Sequence, residues 1–210
     1  MTPNKKRVKP LKRPVQERSK FTVDAIYGGF VRIWRAGGWT QVTTRAVALE
    51  AGVSIGTLYE YFPNKEALLS GYVRHCIEAL IAAIDAQVVA AKDVDWRMRL
   101  KKLVRLTCGV DDCVLPYFDG AMLLRENEFA EPKHHVRAFE ELAGAWRRAF
   151  AACSDLSHTL SIERIHSLFI AVWGGRRYLL MLGQGGMEEW ASQMEVLCCA
   201  AIVEMDGEPG

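Results

Sequence analysis

The sequence predicts an all-α fold, on three observations. Apolar residues recur at spacings of three and four along most of the chain, no segment of convincing two-residue alternation interrupts them, and Gly, Pro and capping residues fall where helices should begin and end. Three helical patterns, the second and third short, make up the N-terminal part, and a further series fills the rest.

Taken in order, a first helix from Gln16 carries Val23, Ile26, Tyr27, Phe30, Val31 and Trp34 on one face, with Gly37-Gly38 as the expected stop. Thr43 or Thr44 can cap a short second helix through Val47 and Ala48 to Ala51, and Gly52 turns the chain. Ser54 caps a third, Ile55 to about Phe62, which Pro63 closes. Asn64 then caps a fourth, where Leu69, Tyr72, Val73, Cys76, Ile77, Leu80, Ile81 and Ile84 keep one face for over four turns.

Beyond Lys92, Leu103, Leu106 and Val110 mark a fifth helix, and a sixth runs from about Pro116 through Phe118, Met122 and Leu123. Pro132 opens a seventh, with Val136, Phe139, Ala143, Trp146, Phe150 and Cys153 in regular spacing. An eighth spans Ile162 to Leu182, and a ninth Met187 to Met205, with the glycines from Gly183 to Gly186 between them.

Composition places the chain among globular proteins. Half of its 210 residues are apolar and a quarter charged. No uninterrupted apolar run approaches the roughly 18 to 20 residues of a membrane span, and the N-terminus is basic without the apolar core of a signal peptide, so a cytoplasmic protein is expected. Six cysteines (Cys76, Cys108, Cys113, Cys153, Cys198, Cys199) form no C-x-x-C pair and read as buried free thiols. His134, His135 and His166 are scattered without ligand spacing, so neither a metal nor another cofactor is expected. No Gly-rich phosphate loop, metal-spaced His-Glu set or nucleophile elbow is present, which argues against an enzyme.

Charge is unevenly distributed. The formal net charge is +2, yet the first twenty residues carry eight bases (Lys5, Lys6, Arg7, Lys9, Lys12, Arg13, Arg18, Lys20) against Glu17, so the remainder is net acidic. Residues 1–15, punctuated by Pro3, Pro10 and Pro14, are expected to be an arm disordered in isolation. Such an arm suits an anionic surface, because a phosphate backbone rewards each neutralising Lys or Arg with released counterions.

The stretch that follows explains why the arm is there. At 100° per residue, Ile55, Leu58 and Phe62 share one arc of the third helix, Tyr59 lies at its margin, and Gly56, Thr57, Glu60 and Tyr61 point outward. Ala48 is small where two helices would cross, and Gly52 suits a left-handed turn between them. That pattern is a helix-turn-helix, whose second helix enters a major groove. Two outward phenols on it suit phosphates, which a Tyr hydroxyl can meet from the end of a rigid side chain.

The residues "TTRAVALEAGVSIGTLYEYFPNKEALL" resemble the N-terminal domain of the TetR family of bacterial transcriptional regulators: the Thr-Thr opening, the Ala-Gly-Val-Ser turn, Gly-x-Leu-Tyr-x-x-Phe and Pro-x-Lys-Glu-x-Leu. The resemblance covers about Gln16 to Val73. It implies a DNA-binding domain over residues 16–65 and an effector-binding and dimerisation domain over 66–210, about nine helices in all. It further implies phosphate contacts from Thr44, Tyr59, Tyr61 and Lys65, base reading by Ile55, Gly56, Thr57 and Glu60, and a place for Ser54 in the same DNA-binding surface. One departure stands out: no Lys or Arg occurs between Val53 and Phe62, so the commonest contact to guanine is absent from the recognition helix. Electrostatic affinity is expected from Arg45, Lys65 and the arm, with Ile55 and Thr57 suited to thymine methyls.

For the C-terminal part the resemblance implies a homodimer through the last two helices and a small-molecule pocket among the middle ones. Gly174, Gly175, Tyr178, Met194 and Leu197 are the candidate dimer residues; the two glycines are costly in a helix interior unless another helix approaches closely. Tyr117, Phe118, Met122, Phe129, Phe139, Trp146, Phe169 and Trp173 are the candidate ligand residues, suited to a large apolar or aromatic molecule. The expected function is a repressor that binds a palindromic operator as a dimer, associates with the nucleoid when on DNA, and is released by a small effector. The alternative is a DNA-binding or architectural protein without an effector, whose C-terminal helices serve assembly alone.

Overall fold

The computed structural model describes residues 9–11, 17–111, 120–183 and 185–203. Among them are nine α-helices and no strand: α1 Glu17–Gln41, α2 Thr44–Glu50, α3 Ile55–Tyr61, α4 Lys65–Ile84, α5 Trp96–Cys108, α6 Gly120–Asn127, α7 Pro132–Ala151, α8 Ile162–Leu182 and α9 Met187–Val203. A π-helical segment, Asp85–Val89, prolongs α4. The main run of the first helix stops at its glycine pair, as expected. The chain changes direction at Gly38 (φ 66°, ψ −167°), which glycine alone enters at little cost, and helical turns resume to Gln41. Val110 lies beyond α5, Cys153 beyond α7, and Val136 is exposed on α7 instead of facing the core. The expected start of the sixth helix, from Pro116, lies outside the described residues, as do Cys113 and most of the N-terminal arm.

The chain divides into two compact units. The first runs through Cys76 and includes Met122–Ala130; the boundary therefore falls inside α4 instead of at its start. The reason is visible in the packing: the first turns of α4 bury Ala67, Leu68, Leu69 and Tyr72 in the core of this unit, where Tyr72 meets Tyr27 and Phe30 at ring separations of 5.6 and 5.5 Å. Asn64 caps α4 by accepting from Ala67 N at 2.8 Å. Gly71 on this helix has no room for a side chain, since a Cβ there would lie 2.8 Å from the Tyr27 hydroxyl and 2.9 Å from both Phe62 and Pro10.

The second unit packs α5 against α7, α8 and α9 around Leu100, Leu103, Leu142, Trp146, Phe169 and Met194. Two polar groups in this core pair with each other: Trp146 Nε1 donates to Thr107 Oγ1 at 3.1 Å, and Thr107 donates onward to the Leu103 carbonyl at 2.7 Å. Arg99 is buried and closes the end of the π-helical segment by donating to the carbonyls of Val88, Val89 and Ala91. Burial pushes the thiols of Cys108 and Cys198 up to about 12 and that of Cys153 up to about 11, so they stay protonated and unreactive at neutral pH. The helix formed by α4 and its π-helical prolongation is 25 residues long with a mean hydropathy of 1.4 in its best window, sufficient by length and composition to cross a membrane; half of that window is buried inside the protein, as in a core helix.

Candidate nucleic-acid interface

The helix-turn-helix is built by two side-chain caps and one left-handed glycine. Thr43 accepts from Ala46 N at 3.0 Å to start α2, Gly52 turns the chain at φ 67°, and Ser54 accepts from Thr57 N at 3.0 Å to start α3. The Val53 amide donates to the Ala48 carbonyl at 3.0 Å across the turn. Ala48 is buried, as a close helix crossing requires, and Gly29 of α1 meets α2 so tightly that a Cβ would lie 3.1 Å from Ala51 N. On the far side of α2, Arg32 of α1 holds Glu50 by a 2.5 Å ion pair and donates to its carbonyl at 3.2 Å.

This frame leaves Arg45, Ser54, Ile55, Gly56, Tyr59 and Glu60 exposed, with Thr44, Thr57 and Lys65 half-buried. Tyr59 is 46 % exposed, and its hydroxyl lies 3.1 Å from that of Thr44, so two candidate phosphate contacts from different helices already share a hydrogen bond. Ser54 and Thr57 hydroxyls are 2.8 Å apart and engaged with each other and with the cap. Ile55, by contrast, offers a 40 % exposed apolar side chain beside Gly56, above which only Ser54 Oγ comes within 4 Å of where a Cβ would stand.

Tyr61 corrects the expectation. It is only 5 % exposed, because Leu58 and Tyr61 are one turn apart and share the buried face of a seven-residue helix, and its ring packs 6.3 Å from that of Phe62. It is not available to a phosphate. Its backbone instead receives the arm: Leu11 N donates to the Tyr61 carbonyl at 2.7 Å, so the described residues of the arm are tied to the end of α3. Lys65 is also less free than expected, since its ammonium lies 4.3 Å from the Trp39 ring centroid and donates to the Trp39 carbonyl at 3.3 Å. Trp39 was not among the sequence candidates; its place beside the Gly37-Gly38 pair was the available signal.

The candidate ligand residues separate. Tyr117 and Phe118 lie outside the described residues. Met122 is buried and Phe129 stacks on Trp39 at 6.4 Å, both within the first unit. In the second unit Phe139, Trp146 and Trp173 all touch Phe169, at 5.4, 5.7 and 6.2 Å, and Trp146 and Phe169 are fully buried in the core, filled by one another. Phe139 and Trp173 keep a partly open face, as Phe129 does in the first unit.

Two candidate dimer residues turn inward as well. Gly175 is small because Trp190 of α9 in the same chain occupies the space a side chain would need, and Met194 is 4 % exposed within the chain's own core. Gly174, Tyr178 and Leu197 remain exposed on α8 and α9, with open space above Gly174.

Comparison with known proteins agrees with this geometry. Residues 31–71 match the family described as "Bacterial regulatory proteins, tetR family". The chain is 39 % identical over 75 residues to the HTH-type transcriptional repressor KstR of Mycolicibacterium smegmatis, covering 36 % of this chain and 35 % of that protein. It is 30 % identical over 92 residues to the nucleoid occlusion factor SlmA of Vibrio atlanticus, covering 43 % and 47 %. The matched region thus spans between a third and a half of these relatives' length. In fold, the dihydroxyacetone kinase operon activator DhaS superposes with a TM-score of 0.60 at 19 % identity, over 86 % of this chain and 96 % of the other. A transcriptional regulator of this family from Mesorhizobium loti gives 0.59 at 14 %, over 90 % and 98 %. Through the helix-turn-helix within residues 31–71, the N-terminal part of the chain is similar to the TetR family of bacterial regulatory proteins.

Proposed function

We propose that this protein is a transcriptional regulator that binds a palindromic DNA operator as a homodimer and is released by a small, largely apolar or aromatic effector. The observation that carries the DNA-binding part is the exposed, preassembled surface of α2 and α3: Thr44 and Tyr59 hydrogen-bonded to each other, Arg45 beside them, and the first turn of α3 projecting Ile55 and Gly56. Phosphate-directed groups fix register, and the outward side chains of α3 meet base edges.

Pairing follows from the same geometry. A single short recognition helix offers few base contacts, whereas two units about 34 Å apart read both halves of an inverted repeat. The exposed apolar residues Tyr178 and Leu197 on α8 and α9 supply a surface for a second copy. The protein then works where DNA is, in the cytoplasm and on the nucleoid. Release requires that an effector bind the DNA-competent form and the released form with different affinity.

Titrating labelled duplex with protein by fluorescence anisotropy, alongside light scattering of the free protein, tests the first part. Binding at low salt by a dimer is the expected result; a monomer that ignores all duplexes overturns it. A metabolite panel tests the second part, since a ligand of the folded form raises the thermal midpoint and must also weaken the duplex complex. The mutual filling of Trp146 and Phe169 favours one competing reading, assembly without an effector, which a panel without hits supports.

A further inference from the structure

Lys65 is held in place before any duplex arrives. Its ammonium sits over the Trp39 ring and donates to the Trp39 carbonyl, while the stem is half-buried. Trp39 is itself fixed: Trp34 packs against it at 5.9 Å and Phe129 stacks on it at 6.4 Å with the ring planes 22° apart. The backbone departure at Gly38 sets the direction in which Trp39 leaves the main body of α1. All of these residues lie in the first unit, including Phe129 from the segment Met122–Ala130, which precedes α7 in the chain.

An ammonium has three N–H donors. The Trp39 carbonyl takes one, and the ring face attracts the charge through its quadrupole without consuming a donor. Donors therefore remain for a phosphate oxygen, and a lysine already held in one arrangement loses less side-chain freedom on binding than an unrestrained one. We propose that Trp39 is a positioning residue for DNA binding: it aims Lys65 at the phosphate backbone, and Phe129 buttresses its ring, which gives the segment Met122–Ala130 a hold on a DNA contact. This rests on the reading of Lys65 as a phosphate ligand.

The test is anisotropy with a labelled mixed-sequence duplex over a series of salt concentrations, using Lys65→Met, Trp39→Leu, Trp39→Phe, Phe129→Leu and the double variant Lys65→Met/Trp39→Leu, with thermal midpoints recorded for each. Lys65→Met lowers the slope of log affinity against log salt by about 0.9 for each phosphate that the ammonium no longer neutralises. Trp39→Leu weakens binding although every charge is kept, and the double variant binds within about twofold of Lys65→Met alone, because the two residues act as one. Trp39→Phe, which keeps a ring face, retains most of the affinity, and Phe129→Leu falls between wild type and Trp39→Leu.

A Trp39→Leu protein that binds like wild type, or losses that multiply in the double variant, overturns the proposal; an unchanged slope in Lys65→Met overturns its premise. If Trp39→Leu does not fold, the cycle is run between Phe129→Leu and Lys65→Met, where independent effects overturn it equally. Wild-type protein that binds no duplex at low salt defeats the proposed function itself, a result distinguishable from any of these.

Discussion

Ser54, Ile55 and Gly56 occupy three successive positions and do three different things. Ser54 is consumed by the cap of α3, so Ser54→Ala destabilises the first unit by about 1 kcal/mol, measurable by urea unfolding. Gly56 adds no side chain, so on the proposed function the backbone there would come near a groove. Ile55 is 40 % exposed, and on the proposed function it would make the apolar contact of a recognition helix without Lys or Arg, the thymine methyl being the apolar feature of the major groove. Replacing the contacted thymine by deoxyuridine in a duplex selected for binding removes one methyl and about 0.8 kcal/mol, a loss of roughly fourfold. In Ile55→Ala the same replacement leaves affinity unchanged; an undiminished loss there would assign the methyl to another side chain. At Gly175 the demand is steric, and Gly175→Ala forces Trp190 to move at a cost of about 1 to 3 kcal/mol in unfolding free energy.

Helices rest on their ends as much as on their faces. The end of α5 is secured by Asp111, which accepts from Lys102 and Arg105 at 2.8 Å each, while Arg105 also reaches Glu188 of α9 at 2.6 Å. Burial alone would raise the Asp111 carboxyl, but the hydrogen bonds and charges of Lys102 and Arg105 outweigh it and hold the group below its usual range. A carboxyl lowered on folding contributes stability that is present above its unfolded value, about 3.9, and lost as pH falls through the folded value below that. Urea unfolding should therefore separate Asp111→Asn from wild type at neutral pH, and the gap should close in strong acid; a gap constant with pH would contradict the pairing. Element existence was legible in the sequence because Thr43, Ser54, Asn64 and Pro132 announce helix starts by local chemistry alone. The glycine pair announced the break at Gly38, but not the short helical turn that follows it to Gln41.

At the scale of the whole molecule, the candidate DNA-binding surface was far more readable than the rest. Thr44, Arg45, Tyr59 and the first turn of α3 follow from spacing on a short amphipathic helix, and they emerge exposed or half-buried. Tyr61 misled because a seven-residue helix buries more of its circumference than a 100° projection of its apolar residues implies. Gly175 and Met194 misled for a different reason: the identity of the facing helix decides whether a small or apolar residue serves a second copy or the chain's own core. Of the candidate dimer side chains on α8 and α9, Tyr178, 63 % exposed, and Leu197, 57 % exposed, stay outward. Leu197→Glu should place a like charge opposite itself in an isologous pair and shift light scattering from dimer to monomer, with duplex affinity falling in step. Unchanged mass would locate the pairing surface elsewhere.

Selection from a random duplex pool bears most directly on the central claim that the surface of α2 and α3 reads DNA as a pair. Wild-type protein should enrich an inverted repeat whose half-site centres lie about one helical turn, roughly 34 Å, apart, and Ile55→Ala should enrich the same spacing with altered preference at one position in each half. A pool that remains random after successive rounds, with no duplex retained even at low salt, would contradict it.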